Sequence, residues 1–143
     1  MTQEQAINTV VNWWSNKLKQ KSPHSNGDSG AASVFGCFLA DINMRNISEH
    51  QLSTFEKELY KEIKSEIENR LIESRWHSLS VGCDYDPCRM LSDAAKKADI
   101  STWNFPYKTW MSISIENDDL NDGFQVRVSD GYRAEWVSLS PVN

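Results

Sequence analysis

The chain is poor in the residues that mark a dedicated chemistry. Only three cysteines (Cys37, Cys83 and Cys88) and three histidines occur among 143 residues. Three thiols are too few, and odd in number, for the disulfide framework of a small secreted domain, so a reducing cytoplasm is the expected location. The longest apolar run, Val34 to Ala40, is far shorter than the roughly 20 residues of a spanning helix, and no membrane association is expected. Met1 to Val11 lack a basic segment followed by an apolar stretch, so no signal peptide is expected either. Basic side chains are outnumbered by acidic ones, fifteen to twenty, for a formal charge of −5. That balance argues against direct nucleic-acid binding, which needs a clustered positive surface for phosphates. None of the six glycines sits in a strand–loop–helix setting with a following Lys, and no G-x-S-x-G, H-E-x-x-H or kinase set occurs. No cofactor and no catalytic residue are expected.

What is present is enough for one ordinary α+β domain spanning 1–143, with a helical part over 1–74 and a β-α-β-β part over 75–143. Thr2 and Gln5 form a capping box ahead of Ile7, Val10, Val11, Trp14 and Leu18 at helical spacing. A second helix is expected over about 28–44, with Ala31, Val34, Phe35, Phe38 and Ile42 on its apolar face. In "NISEHQL" a second capping box (Ser48, Gln51) and a hydrophobic staple (Ile47, Leu52) open a third helix running to about Ser74. Its buried stripe is Leu52, Phe55, Leu59, Ile63 and Ile67.

After residue 75 the period changes to two. His77, Leu79, Val81 and Cys83 alternate with Trp76, Ser78, Ser80 and Gly82, the pattern of a strand. "YKTWMSISIEN" puts Met111, Ile113 and Ile115 on one face and Trp110, Ser112 and Ser114 on the other. It pairs with Phe124, Val126 and Val128 as an antiparallel hairpin with one wet face. A two-residue turn at Asp130-Gly131 would set Val128 against Arg133, so the last segment needs a longer turn or an irregular strand. The expected order is ααα–β–α–β–β with room for one more strand, three N-terminal helices packing on a small, mainly antiparallel sheet.

Cys83-Asp84-Tyr85-Asp86-Pro87-Cys88 raises the question of a metal or redox site. Asp86 and Pro87 suit the N-cap and first position of a helix, with Cys88, Leu91, Ala95 and Ala98 then on one face. The spacing of the thiols follows from that strand-to-helix passage. A zinc site would need two more ligands, and His77 is the only nearby histidine. A reactive thiol at Cys88 would need a base, and Asp84 and Asp86 beside it oppose thiolate formation. The acidic turn Glu116, Asp118, Asp119, Asp122 fails as a calcium loop, because Leu120 and Ser129 fall where oxygen ligands belong.

Six tryptophans are the more informative feature. Trp103, Phe105, Tyr107 and Trp110 surround a proline before a strand, with Tyr132 and Trp136 further on. Large rings usually fill cores; the alternative is a partner-binding patch rich in hot-spot residue types. Glu58, Glu62 and Glu66 on the third helix would either form a solvated face or steer toward a basic groove.

The run "DYDPCRMLSDAAKKADI…FPYKTWMSI" resembles small proteins carried by phages and integrated elements of gut bacteria. They share a D-Y-x-P start, an Ala-rich helix and an F-P-aromatic-K-T segment before a strand. The similarity covers the C-terminal half, and Asp99 stands where that pattern has Gly. The resemblance implies a mobile-element accessory protein and, by association, an antagonist of bacterial defence of the anti-CRISPR kind. The expectation is a non-enzymatic module that sterically inhibits a larger protein, such as a defence nuclease complex, through Trp103, Phe105, Tyr107, Trp110 and Trp136 with Glu58, Glu62 and Glu66 steering. The alternatives are a toxin-neutralising immunity protein and a small thiol- or zinc-dependent enzyme built on Cys83, Cys88 and His77.

Overall fold

The computed structural model describes residues 1–19, 47–73 and 78–142. Among them the order is α1 (Gln3–Lys19), α2 (Glu49–Ile72), β1 (Ser78–Ser80), α3 (Arg89–Lys97), β2 (Thr109–Ile115), β3 (Phe124–Asp130) and β4 (Val137–Ser138), with a 3-10 turn at Thr102–Asn104. The fold is α+β. The sheet is wholly antiparallel in the order β1-β2-β3-β4. The helix expected over 28–44 lies outside the described residues, as do Cys37, His24 and His77.

Both capping boxes form. The Gln5 N–H donates to Thr2 Oγ1 and the Thr2 N–H to Gln5 Oε1. At α2 the Gln51 N–H donates to Ser48 Oγ at 3.0 Å and the Ser48 N–H to Gln51 Oε1 at 2.8 Å. Two otherwise unpaired donors are thus satisfied at each helix start. Leu52, Phe55, Leu59, Ile63 and Ile67 are the buried residues of α2. They join Ile7, Val10 and Trp14 of α1, Leu91, Ala94 and Ala95 of α3, and the inner sheet face of Leu79, Met111, Ile113, Phe124, Val126 and Val128 in one core. Burying side chains of this size is worth roughly 1.5–3 kcal/mol each, so the three helices are held on one face of the sheet. No helix among the described residues is long and apolar enough to cross a membrane.

One local expectation is corrected and one open alternative is decided. Helix α3 begins at Arg89 with Cys88 as its N-cap, two residues later than Asp86-Pro87 suggest. Pro87 instead forms a bridge with Cys83, and the Cys88 N–H donates to the Gly82 carbonyl at 2.8 Å, so the segment closes as a small loop before the helix starts. The turn after β3 is long: it runs through Gly131 to Trp136, which lets Val128 pair with Val137 in place of Arg133. The additional strand is therefore present, and short.

The end of α3 explains a residue that looked out of place. Asp99 has φ +56°, the Asp99 N–H bonds to Lys96 O at 3.2 Å, and the Ile100 N–H bonds to Ala95 O at 2.9 Å. This is the left-handed C-terminal cap that glycine fills without strain and Asp fills at some cost.

Candidate functional site

The outer face of the sheet is built from small and polar side chains around one tryptophan. Ser78, Ser80, Ser112, Ser114, Gln125, Arg127 and Ser138 share that face by register. Trp110 pairs with Ser129, and a Cβ at Gly82 would come within 2.5 Å of the Trp110 ring. The indole therefore lies over a residue with no side chain, with a serine as its other neighbour. Although Ser129 is on this outer face, it is buried, and its hydroxyl donates to the Ala134 carbonyl at 2.9 Å. Trp136 immediately precedes β4, at the position that the β3–β4 register, carried one residue further, sets across from Ser129.

At this end of the sheet the chain also gathers tyrosines and cations. The Lys108 N–H bonds to Asp84 O, and Cys83 bridges Thr109, so the Cys83–Cys88 loop lies beside the start of β2. Tyr85 and Tyr107 then meet edge to face, their centroids 5.8 Å apart. The Lys108 ammonium sits 4.4 Å from the Tyr85 centroid and 2.5 Å from Asp84 Oδ1. Hydrogen bonding to Asp84 holds its pKa above the ordinary lysine value, against some desolvation. Arg133 stacks on Tyr132 at 5.1 Å. Tyr85, Tyr107, Trp110, Tyr132 and Trp136 are all exposed. Lys108 and Arg133 both have left-handed backbones, φ +53° and +58°, a conformation L-residues adopt at a cost when turns demand it.

Not every residue named from the sequence belongs here. Phe105 is 0% exposed and packs against Trp14 and Phe55, each with a centroid separation of 5.9 Å. It is a core residue, because the 3-10 turn at Thr102–Asn104 folds the following chain inward over the helices. Trp103 is exposed but stands on that turn. Tyr85 was missed: its sequence setting reads as a helix lead-in, and only the pairing of Cys83 with Thr109 carries it to Tyr107.

The acidic stripe of α2 is also corrected. Glu58 faces Lys61 and Lys97, Glu62 faces Arg89 and Lys97, and Glu66 faces Arg70 and Arg89, with Asp93 completing the group. Four carboxylates thus meet four cations, and the three glutamate side chains are only 19–29% exposed. The network clamps α2 to α3. A locally neutral clamp offers no bare negative field to steer a partner.

The thiols are set into the scaffold. Cys83 is buried, and burial, followed by the nearby Cys88, Asp86 and Asp84, pushes its pKa up to about 12. Cys88 is half-buried against the core. A thiol so far from ionisation is a poor nucleophile. Among the described residues no group of three His, Cys, Asp or Glu is placed to hold a metal ion. The acidic turn closes on itself: the Asp119 carboxylate accepts the Asn121 and Asp122 N–H groups. A depression of about 450 Å³ at the end of α3, lined by Ser92, Lys96, Asp99, Ile100, Ser101 and Thr102, is open and of mixed polarity, unlike the enclosed, largely apolar pockets of small-molecule sites.

Comparison with protein families and with curated proteins finds no match to this chain.

Proposed function

We propose that the protein is a non-enzymatic binding module that occupies a surface of a larger protein and blocks it sterically. The partner class is a bacterial defence nuclease complex, the setting implied by the resemblance of "DYDPCRMLSDAAKKADI…FPYKTWMSI" to mobile-element proteins. The observation that carries the reading is the exposed aromatic end of the sheet: Tyr85, Tyr107, Trp110, Tyr132 and Trp136, with Lys108 and Arg133 stacked among them. Trp, Tyr and Arg dominate binding hot spots because they bury much area with few rotatable bonds. A standard interface takes about 800 Å² per partner, roughly a tenth of this chain's 8677 Å² surface. The aromatic end and the adjoining serine-rich face are the surface best shaped to supply it.

The test is phage plating on hosts protected by a panel of CRISPR–Cas and restriction systems. Expression of the chain is expected to restore plating by orders of magnitude against one of them. A Trp110→Ala/Tyr132→Ala double variant is expected to lose at least tenfold of that effect while keeping its fold by circular dichroism. No restoration on any host, or a fully active double variant, refutes the reading.

A further inference from the structure

The two edges of the sheet are β1 and β4, and the phase of their hydrogen bonds tells which groups point outward. The Leu139 N–H bonds to the Val126 carbonyl at 2.9 Å, so residues 137 and 139 address β3. Alternation turns the backbone groups of Ser138 the other way, and the same phase carried past the two ends of β4 gives Trp136 and Ser140 that direction. Among the described residues these groups have no hydrogen-bond partner. Edge β1 is partly covered. Val81 addresses β2 through both its N–H and its carbonyl. The outward carbonyls of Ser78 and Gly82 are taken by the Arg70 guanidinium at 2.7 Å and the Cys88 N–H at 2.8 Å. Arg70 of α2 and the Cys88 N–H thus cover two carbonyls of that edge, while among the described residues β4 has no such cover.

An open edge is normally guarded by charge, proline, a bulge or a very short strand, and of these β4 has only its two-residue length. Trp136-Val137-Ser138-Leu139-Ser140 carries neither charge nor proline, and Trp136 and Val137 are 53% and 57% exposed. Val137 shares the helix-side layer with its partner Val128, so the apolar layer of the sheet ends at an exposed valine. On the outer face Ser138 pairs with Arg127, an exposed cation with no ion pair among the described residues. The short serine leaves the guanidinium free to reach over it to the next strand position. That position is about 10 Å from Arg127, two spacings of roughly 4.8 Å, a gap that Arg and Glu side chains close from both sides.

We infer that β4 takes an extended segment of the partner protein as a fifth strand. That segment is apolar beside Val137 and carries a carboxylate beside Ser138. Main-chain hydrogen bonds to Trp136, Ser138 and Ser140 hold it, and Arg127 and the Trp136 ring select its side chains. The inference rests on the protein-binding reading above and adds the partner's conformation and charge.

The probe is a pair of acetylated eight-residue peptides of alternating valine and threonine, one with a central threonine replaced by glutamate, the other by lysine. Each is titrated into the 15N-labelled full chain. The glutamate peptide is expected to shift the amides of Trp136, Ser138 and Ser140 and slow their exchange, with the lysine peptide at least tenfold weaker. Ser138→Pro removes an outward donor that β3 does not use, a substitution edge strands tolerate, and is expected to abolish binding while Ser138→Ala does not. Absence of these shifts, equal affinity for both peptides, or full binding by Ser138→Pro overturns the inference. So does a concentration-dependent dimer in sedimentation that Ser138→Pro removes, which would assign the edge to a second copy of this chain. In the plating assay, an active Ser138→Pro with an inactive Trp110→Ala/Tyr132→Ala keeps the binding reading and sinks the fifth strand; activity in both sinks the binding reading itself.

Discussion

Replacing Phe105 with alanine tests whether the segment before β2 is divided between core and surface as described. The side chain is fully buried between Trp14 and Phe55. Phe→Ala in a close-packed core costs about 3–5 kcal/mol, because the transfer energy is lost and a cavity remains. Edge-to-face and tilted ring contacts contribute about 0.5–1.5 kcal/mol each beyond area, which places this site at about 4 kcal/mol. For a chain of this length about 4 °C is lost per kcal/mol, so the melting temperature should fall by about 16 °C. Trp110→Ala, at 40% exposure, should cost only about 1–1.5 kcal/mol. Urea unfolding followed by circular dichroism reads both, and the m-values should stay unchanged. Phe105→Leu, which refills most of the volume, should cost about 1.5 kcal/mol or less and retain activity in the plating assay. A Phe105→Ala loss below 1 kcal/mol, or a Trp110→Ala loss equal to it, would refute the assignment of Phe105 to the core and Trp110 to the surface.

Three further outcomes follow from the geometry. Asp99→Gly should raise stability by about 0.5–1 kcal/mol, or about 2–4 °C in melting temperature, because it relieves a left-handed backbone while keeping the carbonyl that accepts Gln51 Nε2. Cys83 should resist iodoacetamide at pH 8 in the native protein and react at least a hundredfold faster in guanidinium. Its thiol is held protonated up to about 12, so above the ordinary value of 9.0 the unfolded chain sheds a proton the native state keeps, and stability should fall with rising pH in a way Cys83→Val lessens. Desolvation raises the Glu58 pKa, but Lys61 and Lys97 outweigh it and hold it below 4.5. The Glu58 contribution is therefore complete above that value and lost as pH falls through the lowered pKa, so melting temperatures of the wild type and Glu58→Gln should converge in acid.

Some of this protein is legible from sequence alone because the physics is local. Ser48 and Gln51 sit three apart and can cap each other before any tertiary contact exists. The stripe from Leu52 to Ile67 and the alternation from Met111 to Ile115 report burial through the repeat of a single helix or strand. The same alternation places Trp110 on the wet face, where it is found. Other features depend on partners distant in sequence. Glu62 and Glu66 read as a charged face until Arg89, more than 20 residues on, neutralises them. Phe105 and Tyr107 are two residues apart with the same composition cue, and only packing against Trp14 and Phe55 sends one ring inward. Tyr85 reaches Tyr107 because Cys83 bridges Thr109.

The sequence by itself determined the α+β class, the starts of α1 and α2, the inward faces of the β2–β3 hairpin and the inward thiol of Cys83, since each rests on periodicity or on groups a few residues apart. Only the tertiary structure decided which rings form a surface, which charges cancel and which sheet edge is unpaired among the described residues. Those depend on where separate segments meet, and a carboxylate, an indole or a strand edge has no fixed role until its neighbour across the fold is in place.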